Sequence, residues 1–194
     1  NIALWYLGQT GEPVMMEHCF TQYQHSSHMT DRLAAMRAVM HMVHAQDKRA
    51  ALFADYEERW RHHPLAMNKW FAVQAASMRP DTLEIIRTLS NHPQFSWGNP
   101  NNVYALLSTF VMQNPFRFHA ADGKGYAFIE NAIIRLDKEN PQVAARLIQG
   151  WMDWKKFDPD RQRLMGDGLD RLLKQPGLSK DVFELAEKYR QAAG

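Results

Sequence analysis

The chain has 194 residues, 45% of them hydrophobic, and a net charge of +2 spread over interspersed acids and bases. That is enough chain for a buried core. It lacks the strong basic excess expected of a nucleic-acid binder, and one cysteine, Cys19, excludes an internal disulfide and a thiolate metal cage. The longest nearly apolar run, residues 103–112, falls far short of the ~20 residues that span a bilayer.

Helical periodicity governs the chain from its first residues. Ile2, Leu4, Trp5 and Leu7 make an apolar opening segment with no cap before it, which reads as a cut through a longer protein. Residues 14–23 predict a second helix. Leu33, Met36, Met40 and Val43 mark a third, with Thr30 as its N-cap. Leu52, Phe53, Tyr56 and Trp60 face one way on a fourth. Met67, Trp70, Phe71, Ala75 and Met78 stripe a fifth, opened by Pro64. Asp81 and Glu84 resemble a capping box for a sixth, which His92-Pro93 ends.

Four later boundaries share one device. Asn99-Pro100, Asn114-Pro115, Asn140-Pro141 and Asp158-Pro159 each place an Asx side chain at an N-cap and proline at the first helical position. The apolar stripes that follow are Val103, Leu106, Leu107, Phe110 and Val111; Ile129, Ala132, Ile133 and Leu136; Val143, Leu147, Ile148, Trp151 and Trp154; and Leu164, Met165, Leu169, Leu172 and Leu173. Ser179 caps a last helix. Between these stripes, residues 114–126 form the longest break. There Phe116 and Phe118 alternate with Arg117 and His119, so two rings can be buried and two polar groups shown. Asp122-Gly123 is a turn, and Gly125 permits a positive φ.

No segment alternates well enough to be a strand. Alternate helices start roughly 33–41 residues apart, the spacing of helix-pair repeats. The expected fold is all-α, an irregular HEAT/armadillo-like solenoid of about ten to eleven helices in a single domain, residues 1–194, with a closed bundle as the rival.

Chemistry is sparse. No Glu-x-x-His occurs, so neither a His-Glu-x-x-His zinc site nor a ferritin-like site is encoded. His41 and His44 share a helix face and Glu17-His18-Cys19 holds potential ligands, but no third ligand follows either at suitable spacing. Gly123-Lys124-Gly125 could cradle an anion, yet Phe128 stands where a dinucleotide motif needs glycine. Lys155, Lys156, Arg161 and Arg163 form a basic cluster that reads as a solvated helix end. Cys19 reads as a buried small hydrophobe. The residues alone give a helical binding or covering module without catalytic machinery.

Several stretches carry a resemblance in one register from about Gln22 onward. They are Gln22-Tyr23 leading to His28-Met29-Thr30-Asp31, then Met67-Asn68-Lys69-Trp70-Phe71, residues 96–101, and Asn114-Pro115 through Phe118-His119-Ala120, Asp122-Gly123 and Gly125-Tyr126. The last is Asn140-Pro141-Gln142-Val143-Ala144-Ala145-Arg146-Leu147. The chain resembles the C-terminal helical domain of the M1 family of zinc aminopeptidases, in its bacterial branch. The resemblance implies a domain that covers the active site like a bowl and shapes an internal peptide chamber. It is inactive alone, with the catalytic and N-terminal domains of the same polypeptide as its partners and peptides as the parent's substrates. Zinc would lie in the catalytic domain and no cofactor in this chain; the location implied is cytoplasmic, with no nucleic acid or membrane partner. Arg146 matches an arginine that faces the chamber in this family, and Tyr104 falls where a relative carries another. The alternative is an independent helical adaptor for protein or RNA.

Overall fold

A computed structural model describes residues 2–8, 10, 12–42 and 46–192, leaving aside the side chain of Leu7. Val43 and His44, both named in the sequence reading, lie outside the described residues. Among those described, every regular element is helical. The chain divides into two compact units, Asn1–Gln94 and Phe95–Gly194.

The first unit holds α1 (Ile2–Gly8), α2 (Pro13–His25), α3 (Met29–Met40), α4 (Gln46–Trp60), α5 (Pro64–Ala75) and α6 (Thr82–Leu89). Helix α3 is its centre, packed by α1, α2, α4 and α5. Ala35, Met36, Ala38 and Val39 on α3 are fully buried. The two alanines keep that surface low enough for neighbours to approach, and Gly8 of α1 sits close over Ala38. Side chains then tie one helix to the backbone of another. Trp70 Nε1 donates to the Phe53 carbonyl at 2.9 Å, and the Tyr56 hydroxyl to the Ala66 carbonyl at 3.2 Å. Tyr23 on α2 donates to Asp55 on α4 at 2.7 Å.

Two expected caps fail here. Helix α3 begins at Met29, with His28 at the cap position, so Thr30 lies inside the first turn. Asp81 precedes α6 but makes no capping bond: its backbone, at φ −85° and ψ 4°, is not extended, and its carboxylate is held by Arg79. Thr82 instead donates to the Ser77 carbonyl at 2.8 Å.

The second unit begins with one rod made of α7 (Pro100–Val103), a π-helical turn (Tyr104–Ser108) and α8 (Thr109–Gln113). Then come α9 (Pro115–Phe118), α10 (Lys124–Asp137), α11 (Pro141–Leu147), α12 (Pro159–Leu173) and α13 (Lys180–Gln191). Helices α10 and α11 pack as one hairpin and α12 and α13 as the next, with α12 against α10 and α13 against α11. Hairpins laid side by side are the building unit of an armadillo-like solenoid. All four Asx side chains cap as the sequence predicts. Asn99 accepts from Asn101 N at 3.0 Å, Asn114 from Arg117 N at 3.2 Å, Asn140 from Val143 N at 3.2 Å and Asp158 from Arg161 N at 3.1 Å. Each such cap contributes about 1 kcal/mol.

Helix α11 is shorter than its stripe suggests. It gives way to 3₁₀ turns at Ile148–Trp151 and Trp154–Lys156, yet both tryptophans remain buried. The indole of Trp154 donates to the Tyr189 carbonyl at 2.7 Å. Residues 114–126 also depart from expectation. Residues 115–118 form a helical turn, so positions two apart point about 200° away from each other. Phe118 is therefore fully buried and Phe116 is 63% exposed. Phe118 meets Phe110, Tyr126 and Trp151 edge-on, with ring centroids 5.3–5.8 Å apart. Gly123, not Gly125, takes the positive φ, 65°. Gly125 is required for closeness: a Cβ there would stand 2.6 Å from the Phe118 carbonyl oxygen.

Candidate functional site

Tyr104 and Arg146 come from different helices and meet in the second unit. Val103, Leu106, Leu107, Phe110 and Val111 bury the inner side of the first rod. Tyr104 opens its π-helical turn, where Thr109 N reaches back to the Tyr104 carbonyl, and the Thr109 hydroxyl also donates to that carbonyl at 3.3 Å. A π turn widens the helix by a residue and is frequent at functional positions. It leaves the Tyr104 ring half-buried at the edge of the rod.

On α11, Val143, Ala144 and Leu147 are buried and Arg146 is exposed. That matches its position about 100° round from Leu147. The guanidinium carbon of Arg146 lies 4.7 Å from the centroid of the Tyr104 ring. Such a cation–π contact at an exposed site is worth roughly 0.5–1 kcal/mol. Arg146 forms no hydrogen bond or ion pair with the described residues. Its fork of donors is open, suited to a carboxylate or to peptide carbonyls.

The other sequence candidates are occupied structurally. His119 is wedged between Phe118, Phe157 and Tyr126, with Nδ1 2.9 Å from the Tyr126 hydroxyl. Burial, reinforced by the Arg161 charge, lowers its pKa to about 4, so the ring is neutral near neutral pH. Arg161 is itself taken up by Asp158 at 2.5 Å and by the His119 carbonyl at 2.6 Å, and Lys156 pairs with Asp153 at 2.8 Å. Two members of the basic cluster, Lys156 and Arg161, are thus taken up by local acids. Lys124 stands 3.6 Å from Asp122, which offsets any anion-attracting charge beside Gly123. Cys19 is fully buried and its thiol is pushed up to about 11, which leaves almost no thiolate. Glu17 pairs with Lys48, and His41 Nδ1 accepts from Met78 N at 3.3 Å, its pKa lowered by burial. Among the described residues no three His, Cys, Asp or Glu side chains converge on a point where a metal could sit. The donor set needed for a zinc centre does not fit these residues.

Helix hairpins stacked in this way define a helical-repeat module. The chain belongs to the family described as a domain of unknown function, DUF3458_C, with ARM repeats, which it matches over residues 1–191. It is 42% identical over 193 residues to the aminopeptidase N of Haemophilus influenzae, covering 98% of this chain and 22% of that protein. To the Caulobacter vibrioides aminopeptidase N it is 40% identical, over 82% of this chain and 18% of that one. For Escherichia coli aminopeptidase N the figures are 39%, 86% and 19%. The crystal structure of Legionella pneumophila aminopeptidase A in complex with aspartic acid superposes with a TM-score of 0.85. It is 34% identical, covering 90% of this chain and 20% of that one. The chain thus spans about a fifth of the length of its curated relatives.

Proposed function

We propose that this chain is the C-terminal domain of an M1-family zinc aminopeptidase that removes N-terminal amino acids from peptides in the cytoplasm. The observation that carries the reading is the 42% identity to aminopeptidase N along 98% of this chain. In this reading both compact units act as one domain, residues 1–194, because the family match runs across both. The domain covers the active site and shapes the chamber in which peptides are held. The catalytic and N-terminal domains of the same polypeptide are its partners, and zinc belongs to the catalytic domain. No helix among the described residues is long and apolar enough to cross a membrane.

Arg146 and Tyr104 are the chamber residues. The ring packs against the guanidinium, and the open donors hold the carboxylate or carbonyls of a peptide. The full-length polypeptide should hydrolyse an alanyl amide and lose that activity to a chelator, while the isolated chain should be inactive. A full-length polypeptide lacking His-Glu-x-x-His and any peptidase activity would overturn the reading in favour of a helical adaptor. Arg146→Ala should raise KM for peptides several-fold more than for a single amino-acid amide, with kcat little changed, as loss of uniform binding does. Lower thermal stability with both KM values unchanged would make Arg146 structural.

A further inference from the structure

Arg49 stands on α4 at 6% exposure, yet no acid among the described residues pairs with it. Its Nη1 donates to the Met42 carbonyl at 2.7 Å, and it forms no other hydrogen bond or ion pair with the described residues. Buried charges are ordinarily paired or ligand-bound, because taking an ion out of water is expensive. Elsewhere in the molecule that rule is kept: buried Glu130 receives a two-pronged bond from Arg171 at 2.7 and 2.8 Å.

Arg49 also lines an open cleft of about 230 Å³ within the first unit. Arg79 and Asp81 also line it, but they fork onto each other and cancel. The charge left over in the cleft is the single positive charge of Arg49. Phe53 and Ile85 supply an apolar wall, and the amide of Gln74 adds a polar group beside it. A pocket smaller than the usual ~300–1,000 Å³ of drug-sized ligands suits a fragment of a few heavy atoms.

We propose that this cleft binds a monocarboxylate with a short apolar body, the carboxylate forked on Arg49 and the body against Phe53 and Ile85. One positive charge matches a monoanion and leaves a phosphate dianion undercompensated. The geometry accepts two sources of the same chemistry: a free short-chain acid, or the C-terminal carboxylate of a peptide ending in an apolar residue. The inference is independent of whether the full-length polypeptide is an aminopeptidase.

Calorimetry on the full-length polypeptide tests it with butyrate against the neutral isostere butyramide. A second arm sets an N-acetylated tripeptide ending in valine against its C-terminal amide; the acetyl group blocks recognition of a free amine. Butyrate should bind about tenfold or more tightly than butyramide, as charge-assisted bonds of this kind imply. Arg49→Met should remove that preference, and Arg49→Lys, which keeps the charge but not the fork, should restore part of it. A tripeptide acid that binds more tightly than butyrate assigns the site to chain ends; the reverse order assigns it to free acids. Equal binding of butyrate and butyramide, or undiminished butyrate binding in Arg49→Met, overturns the proposal. Should Arg49→Met fail to fold, crystals of the unaltered polypeptide soaked in butyrate decide. A carboxylate within hydrogen-bond distance of Arg49 supports the site, and density elsewhere or nowhere overturns it.

Discussion

The two compact units start their helices by different means. In the second unit Asn99, Asn114, Asn140, Asp158 and Ser179 each turn a side-chain oxygen onto the free N–H groups of the helix they open. In the first unit the residues preceding α2, α3, α5 and α6 make no such bond. What holds the first unit is bonding between elements, from Trp70 to the Phe53 carbonyl, Ser77 to the Met40 carbonyl and Gln22 to the Asp31 carbonyl. Helix starts in one unit are encoded locally, within three residues. In the other they depend on neighbours brought together by folding.

The sharpest way to break this contrast is Trp70→Phe. It removes the bond to Phe53 and leaves that carbonyl without its indole partner, so stability should fall by about 2–3 kcal/mol, read as a shift in the urea midpoint. Asn140→Ala and Asn114→Ala should each cost about 1 kcal/mol, with amide exchange accelerating first at the helix starts they cap. If either cap variant costs more than Trp70→Phe, the contrast between local and tertiary anchoring is lost. Protonation of the second unit gives a further test. His119 titrates near 6.5 when unfolded and about 4 when folded, chiefly because burial disfavours its charged form. Protons therefore bind the unfolded chain more readily between those values. The stability tied to neutral His119 is complete above pH 6.5 and is lost as pH falls toward 4. His119→Gln should flatten that part of the pH profile, measured as the difference in melting temperature between variant and parent from pH 7 to pH 4.5. An unchanged slope would show that His119 is protonated as easily in the fold as outside it.

The same contrast explains what was legible in the sequence. The Asx-proline starts were readable because cap and target lie three residues apart, and the stripes around Leu106 and Ile133 because burial follows the helical period. The Asp81 box misled because its carboxylate is claimed by Arg79, a competition that spacing does not reveal. Only one of the two rings in residues 114–126 is buried, because proline begins a helical turn there and turns positions two apart away from each other. Nothing in the residues around Tyr104 signals a π turn, and its meeting with Arg146 joins positions 42 apart in sequence. Arg49 carries no signal in the sequence; its burial follows from how α4 packs on its neighbours.

The buried thiol of Cys19 has a practical consequence. With its pKa pushed up to about 11, roughly one molecule in a thousand carries the thiolate at pH 8. Alkylating dyes should therefore pass it by in the folded chain. A cysteine placed at an exposed position of each unit, such as Glu58 and Lys180, would then take a fluorophore pair without first removing the native sulfur. Energy transfer between them would measure the separation of the two labelled positions in solution.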